Sequence, residues 1–138
     1  MHDTIVVNCY AMVLLTKEIL ASFKKRWTEK KVRSLLGSTS AMASHGAAHF
    51  MQTYCASKIF IDYVSHGLNY ELSEIGVDVS AWRPAGVVTN MVKDHLQKGD
   101  VSSITAEQLA KACFSKCTSG VHHGHLKHEI PGLIIDQV

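Results

Sequence analysis

Helical and extended patterns take turns along this chain, and that alternation limits its fold more than any other feature. From Thr4 to about Phe23 the apolar residues Ile5, Val6, Met12, Val13, Leu15, Ile19 and Leu20 follow helical spacing. Asp3 or Thr4 suits the cap, and Lys24-Lys25-Arg26 suits the negative end of the helix dipole. After the polar stretch Thr28–Lys31, Val32–Leu36 reads as a short strand diluted by Arg33 and Ser34. Ser38-Thr39-Ser40 and the small residues that follow read as a loop. The clearest helix runs from Tyr54 to about Ile75, with Ile59, Phe60, Tyr63, Val64, Leu68 and Leu72 on one period and Gly76 as the stop. Val77–Trp82 alternates as a strand ending at Arg83-Pro84, Gly86–Asn90 reads as a loop, and Met91–Leu96 as a short helix. Thr105 caps a helix reaching about Lys116, the His-rich segment Thr118–Glu129 is polar, and Pro131–Asp136 is the last strand candidate.

The order α-β-α-β-α-β demands parallel strands joined by crossover helices. Three strands make a small sheet, since a complete doubly wound nucleotide-binding sheet has about six in two halves. Composition agrees with a folded α/β chain: of 138 residues, 46% are hydrophobic and 19% charged. Fourteen basic against twelve acidic residues leave a net charge of +2 with no basic stripe, which argues against a nucleic-acid partner. Four scattered cysteines do not make a disulfide scaffold and read as reduced intracellular thiols. The apolar runs read as too short for a membrane span, which needs roughly 18 residues or more. The first residues, Met1-His2-Asp3-Thr4, lack the order of a signal peptide.

Tyr54 and Lys58 stand four apart at the start of the long helix, on one face. A phenol titrating near about 10 exchanges protons poorly at neutral pH. A fixed cation beside it favours the phenolate, so the pair reads as a general acid–base. A serine in the preceding loop would hold the same substrate oxygen. A surface Tyr–Lys pair without chemistry is the bland reading of the same spacing.

In order and spacing, four pieces of the chain resemble the short-chain dehydrogenase/reductase family. They are Tyr54-Cys55-Ala56-Ser57-Lys58, the Ser38-Thr39-Ser40 loop, the helix holding Ile5-Val6-Val7-Asn8, and the strand leading to Pro84-Ala85-Gly86-Val87-Val88-Thr89. The resemblance implies the second half of a doubly wound parallel-sheet Rossmann fold, spanning 1–138 as a partial domain. It further implies an NAD(P)-dependent oxidoreductase acting on a small carbonyl or alcohol. Tyr54 would be the acid–base, and Lys58 would lower its pKa and bind the nicotinamide ribose. Ser40 would steady the carbonyl, with Ser38 the alternative if more residues are inserted before Tyr54. Asn8 would hold a relay water, and Pro84, Gly86, Val87 and Thr89 would meet the cofactor. The run Tyr54–Leu72 and the Pro84–Thr89 loop look closest to the very-long-chain 3-oxoacyl-CoA reductase and 17β-hydroxysteroid dehydrogenase branch. That branch implies an intracellular site, cytoplasmic or associated with the endoplasmic reticulum.

The family's glycine-rich phosphate turn and its Asn-Asn-Ala-Gly element have no counterpart here, and the nine glycines are dispersed. Ala85 also stands where the family usually has glycine. NAD and NADP are therefore not distinguished, and a fragment of a reductase competes with a non-catalytic short form acting as an interaction module. A homo-oligomer through the Tyr54–Ile75 helix is expected, and the sheet edge facing the missing strands should be open.

Other residues favour bland readings. Cys113 and Cys117 before His122, His123, His125 and His128 read as half-buried thiols and a solvated loop rather than a zinc site, so no metal is assigned. Cys55 reads as packing, Trp82 as core, and His45 and His49 as exposed loop residues.

Overall fold

The computed structural model describes residues 1–46, 48–90, 103–116 and 119–129. The chain opens with one continuous helical run, His2–Lys30. It comprises α1 (His2–Ile5), a π-helical turn (Val6–Tyr10) and α2 (Ala11–Lys30). The helix is longer than its apolar period suggested, because Thr28 to Lys30 continue it and Lys31 ends it in left-handed geometry at φ 54°. Ile19, Leu20 and Phe23 pack against the buried cluster Leu36, Leu72, Val77 and Val79. Nearer the start of the run, Ile5, Val7, Tyr10, Val13, Leu14 and Leu15 are exposed. An 18-residue window of this run has mean hydropathy 1.5, so by length and composition it could cross a membrane, contrary to expectation. Apart from Asp3, the charges that break the apolar pattern fall late in the run, from Lys17 onward.

β1 occupies Ser34–Thr39, two residues later than expected. Arg33 therefore precedes the strand instead of burdening its interior. It forms a bidentate pair with Asp78, Nε to Oδ2 at 2.8 Å and Nη2 to Oδ1 at 2.6 Å. Ser38 and Thr39 belong to the strand, not to a loop. A short 3₁₀ turn (Met42–His45) leads to α3 (Gln52–Leu72), which a second 3₁₀ turn (Ser73–Ile75) extends to Gly76. Gly76 has φ 72°, and a Cβ there would overlap the Trp27 ring, so both conformation and space require glycine.

β2 (Val77–Trp82) lies parallel to β1, with Leu36 opposite Val79 and Thr39 opposite Trp82. Gly37 accommodates the Trp82 ring, which a Cβ would strike. Two short segments, β3 (Val87–Val88) and β4 (Ile104–Thr105), pair in parallel, giving extended structure to part of the expected loop. α4 (Ala106–Lys116) starts from a reciprocal cap: Gln108 N donates to Thr105 Oγ1 at 3.2 Å, and Thr105 N donates to Gln108 Oε1 at 2.9 Å.

β5 (Gly120–His122) then pairs in parallel with β2, giving the order β1-β2-β5. This strand lies in the segment expected to be a solvated loop, and His123 and His128 beyond it are buried. Its three residues are too short to show a period. The expected helix at 91–96 and the strand at 131–136 lie outside the described residues. Among the described residues the sheet is parallel throughout, and β1 forms one edge.

Candidate active site

The carboxyl ends of β1 and β2 open into a cleft of about 810 Å³, where parallel sheets characteristically receive ligands. Thr39 and Ser40 reach it from β1, Trp82 and Pro84 from β2, and Tyr54 and Lys58 from the first turns of α3. Asn8 enters from the π-helical turn. Gly86, Val87 and Thr89 complete the wall below Pro84. All the residues named from sequence as catalytic or cofactor-binding thus line one cavity. Ser40, not Ser38, is the loop serine on its wall.

The polar contacts interlock. Lys58 Nζ donates to the Thr39 carbonyl at 2.9 Å, and Ser40 Oγ donates to the Lys58 carbonyl at 3.0 Å. Ser40 N also donates to the Trp82 carbonyl at 2.8 Å, tying the ends of the two strands together. Asn8 Nδ2 donates to Ser57 Oγ at 2.9 Å, and that hydroxyl donates to the Tyr54 carbonyl at 2.7 Å. Lys58 Nζ lies 5.4 Å from the centre of the Tyr54 ring, a cation–π distance.

Charge balance in the cleft differs from expectation. Burial pushes the Tyr54 phenol above its ordinary pKa, with the nearby Cys55 adding to the rise. Burial pushes the Lys58 ammonium down, opposed by Asp62 and Cys9. Lys58 is engaged by the Thr39 carbonyl, and desolvation of the phenolate outweighs its cationic neighbour. Cys9 is also raised by burial, against the pull of Lys58.

Asp3 and Thr4 line the cleft at one side, and Val7, Leu109, Cys113 and Phe114 add an apolar lining with Trp82 and Ala41, Phe114 lying edge-on to Trp82 at 5.9 Å. Trp82 is thus part of the cleft wall as well as a packing residue. Cys55 is buried, as expected for packing. His45 is half-buried and stacks on His123 at 5.4 Å, whereas His49 is exposed. Sequence reasoning missed Thr39, Leu109 and Phe114. Ser57 stood inside the Ala56-Ser57-Lys58 motif but carried no separate signal.

A family model described as short chain dehydrogenase matches residues 1–100. The chain belongs to the short-chain dehydrogenase family. The catalytic and cofactor-binding candidates, Asn8 through Thr89, all fall inside the match. The 17-beta-hydroxysteroid dehydrogenase type 3 of Danio rerio is 25% identical over 99% of this chain, which covers 43% of that protein. The 3-ketoacyl-(acyl-carrier-protein) reductase of Brucella melitensis, solved with NADH, superposes with a TM-score of 0.73 at 19% identity, over 86% of this chain and 53% of its own. A short chain dehydrogenase of Burkholderia cenocepacia, solved with NADP, gives a TM-score of 0.74 at 18% identity, over 95% and 53%. This chain therefore carries part of a Rossmann fold and spans about half the length of these relatives.

Proposed function

We propose that this chain is the catalytic half of an NAD(P)-dependent oxidoreductase that reduces a carbonyl compound, with Tyr54 as the proton donor. The observation that carries the reading is the convergence of Tyr54, Lys58, Ser40 and Asn8 on one cleft beside the Pro84–Thr89 loop. The residues present fit the nicotinamide end of the cofactor: Lys58, Tyr54 and Thr89, with Pro84, Ala85, Gly86 and Val87, line one cleft. When bound, the cofactor supplies the hydride.

The chain's own residues supply position and the proton. Ser40 and Tyr54 flank the place where a carbonyl oxygen would sit. A phenol whose pKa burial has raised stays protonated at neutral pH and delivers its proton as negative charge develops on that oxygen. Lys58 would return a proton to the Tyr54 phenolate and regain one from solvent through a water that Asn8 would help to hold. The apolar wall of Trp82, Leu109 and Phe114 suits a hydrophobic substrate, and a 3-oxoacyl chain or a steroid ketone is the class proposed.

The adenosine end needs groups that this sequence does not supply, for the glycine-rich turn is missing from its nine glycines. Calorimetry of the purified chain with NADPH and NADH tests the cofactor reading, and micromolar binding of either would remove the non-catalytic reading. Tyr54→Phe in a catalytically competent protein should abolish carbonyl reduction while leaving cofactor affinity within about threefold. Retained turnover would remove Tyr54 from the proton step. The proposed location is intracellular, at the cytoplasm or the endoplasmic reticulum, and cell fractionation tests it.

A second reading, an interaction module without catalysis, is favoured by apolar exposure. α3 presents Ile59, Phe60, Tyr63 and Tyr70 outward, and these residues are proposed to join two copies. Light scattering tests that assembly. Dimerisation with no nicotinamide binding would favour this reading over the first.

A further inference from the structure

His128 is the largest side chain buried completely among the described residues, and it sits behind the cleft wall rather than on it. Its Nδ1 lies 3.2 Å from the backbone nitrogen of Ala85, the residue between Pro84 and Gly86. The amide can only donate, so Nδ1 accepts, and the proton of the neutral ring is on Nε2. The short turn that carries His128 is itself fixed. His125 Nδ1 accepts from Lys127 N at 3.2 Å, the His125 carbonyl accepts from His128 N at 2.8 Å, and the two rings meet edge-on at 6.1 Å.

Two neighbouring loop carbonyls accept from backbone amides. The Pro84 carbonyl accepts from Met42 N at 3.0 Å, and the Gly86 carbonyl accepts from Ile104 N at 3.1 Å. At Ala85 the partner is a side chain. The Ala85 peptide is the middle one of the Pro84–Gly86 wall.

We infer that His128 is a positioning residue, which fixes the Ala85 peptide and thereby sets the Pro84–Thr89 wall in the geometry that receives the nicotinamide end of a dinucleotide. This rests on reading that loop as the cofactor wall. His128 touches neither substrate nor cofactor; its effect on the cleft is carried by the hydrogen bond to Ala85 N. The bond joins the cleft to a segment more than 40 residues downstream, which the motif-bearing part of the chain does not include.

Two substitutions separate this role from packing. Leucine nearly fills the space of the imidazole but accepts no hydrogen bond, whereas asparagine is smaller yet places Oδ1 near the position of Nδ1. If His128 acts through its bond, His128→Leu should speed exchange of the Ala85 amide by about tenfold or more, while His128→Asn should stay within about threefold of wild type. The Val79 amide in β2 serves as the control and should be unchanged in both. Titration with NADH and NADPH should follow the same order, with affinity down about tenfold for leucine and largely kept for asparagine.

The reverse order, with leucine harmless and asparagine damaging, would make His128 a packing residue and overturn the inference. Equal damage from both would do the same. Should His128→Leu fail to fold, His128→Asn decides alone: a protected Ala85 amide upholds the role, and a fast one removes it. If the wild-type chain binds neither nucleotide, the cofactor reading fails, but amide exchange still decides whether His128 holds Ala85.

Discussion

The side-chain amide of Asn8 donates to the hydroxyl of Ser57 at 2.9 Å, joining residues 49 apart in sequence. Through this bond the π-helical turn near the start of the chain is locked to the helix that carries Tyr54 and Lys58. Ser57 is buried, and its hydroxyl also donates to the Tyr54 carbonyl one turn earlier. The same serine therefore orients Asn8 and braces the first turn of α3.

Ser57→Ala should consequently cost about 1–2 kcal/mol of stability, because it leaves the half-buried Asn8 amide without this acceptor. The coupling is measured by a double-mutant cycle with Asn8→Ala in urea. Costs that simply add would show that the two side chains act independently.

A different prediction concerns pH. Burial lowers the Lys58 pKa below its ordinary 10.5, so the unfolded chain binds this proton more tightly than the folded one. Between the folded pKa and 10.5 the unfolded state holds more protons, and stability must rise with pH. Below that window the folded protein carries the full burden of a desolvated charge. The stability of wild type relative to Lys58→Met should therefore improve as pH is raised from neutrality towards 10. Tyr54 is shifted upward from 10.0, so above that value it acts in the opposite direction, and the comparison is best ended there. A difference that is flat, or that shrinks with rising pH, would contradict burial as the dominant influence on Lys58. Parallel chemical denaturation of the two proteins across this range supplies the measurement.

Tyr54 and Lys58 were legible as a pair because a helix start fixes the face that residues i and i+4 share, whereas Asn8, Ser40 and the Pro84–Thr89 residues were legible only through the family resemblance. β2 was legible to the residue, since its apolar positions alternate between Val77 and Trp82. β1 was displaced because Val32 looks like a strand residue, while Gly37 and Ser38 look like a loop. Only the approach of the Trp82 ring explains a glycine inside that strand. β5 and the burial of His123 and His128 had no local signature, because they depend on pairing with β2 and packing behind the Pro84 loop. The direction of the Tyr54 shift was likewise hidden, since desolvation is set by tertiary burial and not by the neighbouring lysine in sequence.

Gly76→Ala tests the junction between α3 and β2. The left-handed backbone disfavours any Cβ, and here the Cβ would also press on the Trp27 ring. A loss of at least about 2 kcal/mol is expected from the two effects together. Trp27 fluorescence offers a local readout, because relief of the overlap requires that ring to move. A loss below about 0.5 kcal/mol would mean that the junction relaxes freely, against the packing seen around Gly76.

The ion pair between Asp62 and Arg83 bears on both the sheet and the cleft. Arg83 Nε meets Asp62 Oδ2 at 2.9 Å, with the two side chains 21% and 8% exposed. The Arg83 backbone N also donates to the His122 carbonyl, so one residue joins α3, β2 and β5 immediately before Pro84. Removing a single partner from so enclosed a pair leaves a charge without its counter-ion, and Arg83→Leu should cost about 3 kcal/mol. Replacing both, as Asp62→Leu with Arg83→Leu, removes the stranded charge and should recover more than half of that loss. The recovery distinguishes a buried pair from an ornamental surface one, for which each single change would matter little and the double change no less. Thermal unfolding of the four proteins in the cycle reads the outcome. A double variant as unstable as the sum of its singles would show that the two side chains act independently and not as an ion pair.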